Sequence, residues 1–125
     1  MSKRRWFVLA LGSVLATALL TSLVVWWVWF PGREFDAAVW QANTNGSPAR
    51  QAMADRMLAQ GTLTGMTREQ VVALLGEPYQ GGYGGDWDLV YRLGAERGLI
   101  QLDTEWLVIR LGPEGRVAEA KLTTH

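Results

Sequence analysis

The sequence predicts an α+β protein: an N-terminal transmembrane helix, then two helices packed on a three-stranded antiparallel sheet as a two-layer sandwich. Three observations predict it. Residues 6–30 contain no Asp, Glu, Lys, Arg, His, Asn or Gln; residues 47–76 carry helix caps around apolar residues at helical spacing; and residues 87–123 switch to period-two alternation. Composition bounds the function. Twelve Lys and Arg balance twelve Asp and Glu over 125 residues, which argues against a nucleic-acid partner, since phosphate binding needs a clustered positive excess. No Cys excludes disulfides, thiol catalysis, thiolate metal sites and an acylated N-terminal Cys. A single His excludes a multi-histidine metal site. No cofactor is expected.

The first element is the apolar run WFVLALGSVLATALLTSLVVWWVWF. As a helix it reaches about 37 Å at ~1.5 Å per residue, enough to cross a hydrocarbon layer of ~30 Å with some tilt. Trp6 at one end and Trp26, Trp27 and Trp29 at the other fit the two interfacial belts. Lys3, Arg4 and Arg5 precede the run, whereas Arg33, Glu34 and Asp36 follow it. The positive-inside rule then places residues 1–5 in the cytoplasm and the C-terminal domain in the periplasm, as a single-pass inner-membrane protein. The competing reading is a signal peptide cut after Ala16-Thr17-Ala18. That cut leaves LLTSLVVWWVWF at a new terminus, and the run exceeds the usual h-region of about 7–15 residues.

Residues 31–46 read as a juxtamembrane linker. Pro31-Gly32 breaks the helix, Asp36 to Gln41 make at most a short helical turn, with Trp40 on the membrane interface or on the domain, and Asn43 to Gly46 are turn residues. The domain proper then spans 47–125. Ser47-Pro48 starts its first helix as N-cap and first helical residue, Met53 and Met57 mark a core face, and Gly61 ends it. The second helix has Thr67 as N-cap, Gln70 completing a capping box, and an apolar stripe of Val71, Leu74 and Leu75, before Gly76 and Pro78 stop it. Residues 79–86 (YQGGYGGD) form a Gly-rich connection. A phosphate cradle requires a strand before and a helix after, and here the order is reversed.

Trp87, Leu89, Tyr91 and Leu93 alternate as a strand; Leu99 to Asp103 read as a short extension of the sheet; Glu105 to Leu111 form a second strand, and Arg116 to Thr123 a third, across a Gly112-Pro113-Glu114-Gly115 turn. On the second strand Leu107, Ile109 and Leu111 share one face and Trp106, Val108 and Arg110 the other. Either set can face the helices, because large aromatics are usually core. With Leu107 inward, Trp106, Val108 and Arg110 form a candidate partner-contact patch.

Leu63-x-Gly65-Met66-Thr67-x-Glu69-x-Val71-x-x-Leu74-Leu75-Gly76-x-Pro78, followed by Trp87 and Tyr91 on a strand, resembles the outer-membrane assembly factor BamE (SmpA/OmlA) family and the wider β-lactamase-inhibitor-protein-like fold. Ile100-x-x-Asp103-x-Glu105-Trp106-Leu107-Val108-Ile109-Arg110 and Gly115-Arg116-Val117 look like small bacterial envelope proteins of that superfamily. The resemblance covers roughly residues 48–123. It implies two helices on a three-stranded sheet, an envelope location and contacts with other envelope proteins rather than catalysis. The family is usually anchored by an acylated Cys, which this chain lacks, and none of the family's contact residues transfers to it.

Other candidates for chemistry are thin. Asp86 and Asp88 flank Trp87, His125 is the last residue, and no GxSxG elbow is present. The expectation is therefore a non-enzymatic, membrane-anchored protein whose domain contacts unidentified envelope proteins. The alternative is a sensor that takes a lipid or cell-wall fragment between the helices and the Gly-rich loop.

Overall fold

The computed structural model describes residues 14, 16–18 and 31–125. Residues 31–125 form one compact unit. Its elements are α1 (Ala37–Ala42), α2 (Pro48–Gln60), α3 (Arg68–Leu75), β1 (Leu89–Ala95), β2 (Thr104–Leu111) and β3 (Val117–Thr124). The strands make an antiparallel meander in the order β1-β2-β3, with register breaks at Arg92/Gly94 and Arg110/Leu111.

The expected anchor is corrected by the structure. Among the described residues no helix is long and apolar enough to cross a membrane. A span needs about twenty consecutive, mostly apolar helical residues; α2, the longest described helix bounded at both ends, has 13 and carries Arg50, Asp55 and Arg56. Residues 14 and 16–18 are helical, but the interfacial Trp6, Trp26, Trp27 and Trp29 lie outside the described residues, as does most of the 6–30 run and the tail before it. The transmembrane helix in the expected fold class, and the single-pass inner-membrane address with a periplasmic domain, fall with that finding. What stands is the α+β sandwich.

The two helix codes act as read. Ser47 Oγ accepts from Arg50 N, Pro48 takes the first helical position, and Gly61 closes α2 in the left-handed region. Thr67 and Gln70 form the reciprocal capping box of α3. The α2–α3 turn is stitched to the sheet: Val117 N donates to Met66 O at 2.8 Å and Gly65 N to Val117 O at 3.1 Å.

Residues 31–46 differ from a linker. Arg33 N donates to Ala52 O at 2.9 Å, and Asp36 caps α1 by accepting from Ala38 N and Val39 N. Trp40 is fully buried, and its Nε1 donates to Leu75 O at 2.8 Å. The chain then crosses β1 at Gly46, whose φ is +95° and where a Cβ would lie 2.5 Å from Gly94 N. Only glycine tolerates both conditions. This crossing lets Ser47 N reach Leu93 O at 2.8 Å and fixes the start of α2 against the sheet.

The main core joins Trp40, Met53, Met57, Val71 and Leu75 from the helical layer to Leu89, Tyr91, Leu93, Leu107 and Ile109 from the sheet. So Leu107 and Ile109 face the helices. The opposite sheet face is not bare: Val90, Trp106 and Val108 form a second buried cluster, with Tyr83 and Trp87 of the Gly-rich segment packed on it. Trp87 therefore leaves the face of Leu89, because the strand begins only at Leu89 and Asp88 is held by its own bonds. Asp88 N donates to Ile109 O, and its carboxylate accepts from Leu111 N at 2.7 Å, where β2 breaks register.

Tyr91 ties the layers together. Its hydroxyl donates to Gly76 O at 2.9 Å. Burial, helped by Glu77 and opposed by Arg68 and Arg50, pushes its phenol up to about 12. A raised folded value favours the neutral phenol, so this contribution is complete below the ordinary value of about 10 and is lost as pH rises from there through about 12. At ~1.36 kcal/mol per unit it amounts to about 2–3 kcal/mol. Urea unfolding across pH 9–12 should show wild type losing that much more stability than Tyr91→Phe; parallel curves would reject the assignment.

Candidate functional site

The β1–β2 connection is the strongest departure from a sealed surface. Leu99, Ile100 and Leu102 are 106%, 69% and 84% exposed. The sequence reading made this segment a sheet extension; instead it leaves the ladder after Ala95 and rejoins at Thr104. Its base is fixed. Glu96 N donates to Asp103 O at 2.9 Å. Arg97 forks onto both Asp55 oxygens, at 2.6 and 3.0 Å, and onto both oxygens of Glu105. Those hydrogen bonds, Asp55's first and then Glu105's, raise the Arg97 pKa. The clamp ties α2, the loop and β2 into one rigid frame, with the buried Glu105 carboxylate neutralised. An aliphatic tip on a clamped base is an unusual use of apolar surface, since each such side chain would gain about 1.5–3 kcal/mol on burial.

The candidate patch of Trp106, Val108 and Arg110 has a different environment from a free surface. The three do share the face away from the helices, but Trp106 is 7% exposed and Val108 is fully buried. Tyr79 and Tyr83 meet the Trp106 ring edge-on at 4.8 and 5.2 Å. Arg110 alone is open, paired with Glu119 at 2.9 Å and lying 4.7 Å over the Trp87 ring, which Lys121 approaches from 5.0 Å. The Gly-rich segment is thus an aromatic cover rather than a bare connection. His125, expected at a loose end, pairs through its backbone with Thr104 in both directions, and its ring meets Tyr83 edge-on at 5.3 Å. Among the described residues no group of three His, Cys, Asp or Glu side chains is placed to hold a metal.

A concavity of about 200 Å³ opens where the α1–α2 turn and the end of α3 meet β1, and Asn45, Arg50, Glu77, Tyr79, Tyr91 and Arg92 are among its walls. Sequence reading missed it because its parts come from three distant segments. The one available signal was Arg50 itself, a cation in the first turn of a helix, where the macrodipole disfavours it.

Fold and surface define a small α+β meander domain with a protruding aliphatic loop and an arginine-lined hollow. No family model, curated protein or solved structure matches the chain, so nothing in these comparisons identifies a BamE-like family.

Proposed function

We propose that residues 31–125 act as a non-enzymatic protein-contact module and that the 96–103 loop is the contact surface. The observation that supports this is the trio of exposed aliphatics, Leu99, Ile100 and Leu102, on a base held by Arg97. Rigid presentation lowers the ordering cost of binding, and burial of three aliphatics supplies the driving force. A cleft for a lipid fragment between the helices and the Gly-rich segment finds less support, because the aromatics of that segment pack onto the sheet.

The test is site-specific photocrosslinking in cells from position 99 or 102. A discrete protein adduct is expected. An excess of unlabelled wild-type chain should compete it away and an excess of L99S/I100S/L102S chain should not, although the unfolding midpoint of that variant should stay at the wild-type value, because exposed substitutions usually change stability by less than about 0.5 kcal/mol. No adduct at either position, or competition by the triple variant as effective as that by wild type, would remove this surface.

A further inference from the structure

We propose that the hollow between Arg50 and Arg92 binds a small oxyanion, a carboxylate or phosphate group. Arg50 is only 4% exposed. Buried cations are normally paired with a carboxylate, yet among the described residues no carboxylate lies within ion-pair distance of Arg50 or Arg92. What Arg50 has is weaker. Its Nη1 donates to Thr44 O at 3.3 Å and Arg92 O at 2.8 Å, and its guanidinium lies 4.1 Å over the Trp40 ring. The Nε atoms of both Arg50 and Arg92 are buried without a hydrogen-bond partner.

Arg50 and Arg92 both line one cavity, and the Arg92 guanidinium also lies 5.9 Å over the Trp106 ring. Arg50 sits in the first turn of α2, so the helix dipole adds to the positive potential instead of offsetting it. Asn45, Thr44 and Tyr79 bring further polar groups to the walls. About 200 Å³ is below the ~300–1,000 Å³ of drug-sized sites; it suits one acidic group and its immediate substituent. Glu77 also lines the hollow and is exposed. Its charge opposes a dianion more than a monoanion, so acetate and phosphate are separate arms of the test.

The full-length chain would be titrated with sodium acetate and, separately, sodium phosphate, at ionic strength held constant with sodium chloride, while amide and arginine Nε–H resonances are followed. Saturating shifts at Asn45, Arg50, Tyr91 and Arg92 with at least one oxyanion, absent with chloride alone, are expected. Saturation by acetate alone assigns a carboxylate ligand, and saturation by phosphate alone a phosphate. Arg92→Gln should weaken binding about tenfold or more, as loss of a charge-assisted hydrogen bond does. Asn45→Ala, at an exposed turn position, should weaken it less and serves if Arg92→Gln disturbs the fold. Shifts that merely track chloride, or saturation insensitive to both substitutions, would overturn the site.

Discussion

Trp40→Ala is expected to destabilise the domain by about 3–5 kcal/mol, the usual cost of deleting a buried large aromatic. The indole is fully buried, stands 5.9 Å from the Phe35 ring and 6.3 Å from the Tyr91 ring, and holds the Leu75 carbonyl. Its loss also strips the aromatic face from Arg50, which leaves a buried cation with two carbonyls for company. Stabilities of about 0.05–0.15 kcal/mol per residue give a unit of this size roughly 5–14 kcal/mol, so the substitution removes a large share. Urea unfolding followed by far-ultraviolet dichroism should show the midpoint collapse. Trp40→Phe separates the contributions: it keeps much of the ring but leaves the Leu75 carbonyl unsatisfied, at about 1–3 kcal/mol. An alanine variant as stable as wild type would mean that residues 31–46 are a tether after all, and that the core begins at Ser47.

That contrast shows where the sequence was readable. The caps of α2 and α3 are local devices whose whole mechanism lies within four residues, and Ser47, Gly61, Thr67, Gln70 and Gly76 behave as their chemistry dictates. The alternation on β2 was equally legible, but it left open which face met the helices, because both faces are apolar and both are buried. Burial of Trp40 was not legible, since a six-residue helix is placed by partners outside it, from Arg50 ten positions on to Leu75 thirty-five positions on. Nor was the role of the glycines at 81, 82, 84 and 85, which read as slack but let Tyr83 and Trp87 lie back on the sheet. The exposed aliphatic loop was hidden for the opposite reason. Leu99, Ile100 and Leu102 have strand-like composition, and only the exit of the chain from the ladder after Ala95 turns them outward.

Trp106→Ala carries the second large effect, and it decides between two meanings of the outer sheet face. Were Trp106 a free contact residue, its truncation would cost the folded domain little. In the observed packing it is the floor on which Tyr79 and Tyr83 rest, beside Val90 and Val108. Ordering a backbone segment costs about 1–2 kcal/mol per residue, and glycines give up the most freedom. For residues 80–87 that cost is met chiefly by the aromatic contacts. Removing the indole should therefore cost about 3–5 kcal/mol and also detach the cover. Hydrogen exchange is expected to accelerate at Tyr79 and Asp88, whose amides donate to Val90 O and Ile109 O at the two ends of the cover, while Tyr91 and Leu107 on the helix-covered face keep their order of protection relative to the global opening. Trp106→Phe should restore much of the slow exchange, because the Nε1 of Trp106 has no hydrogen-bond partner to lose and the ring edge-to-face contacts are what hold Tyr79 and Tyr83. An alanine variant with wild-type stability and an unchanged exchange pattern would return Trp106 to the solvent-facing role and place the contact surface on the sheet instead of the loop.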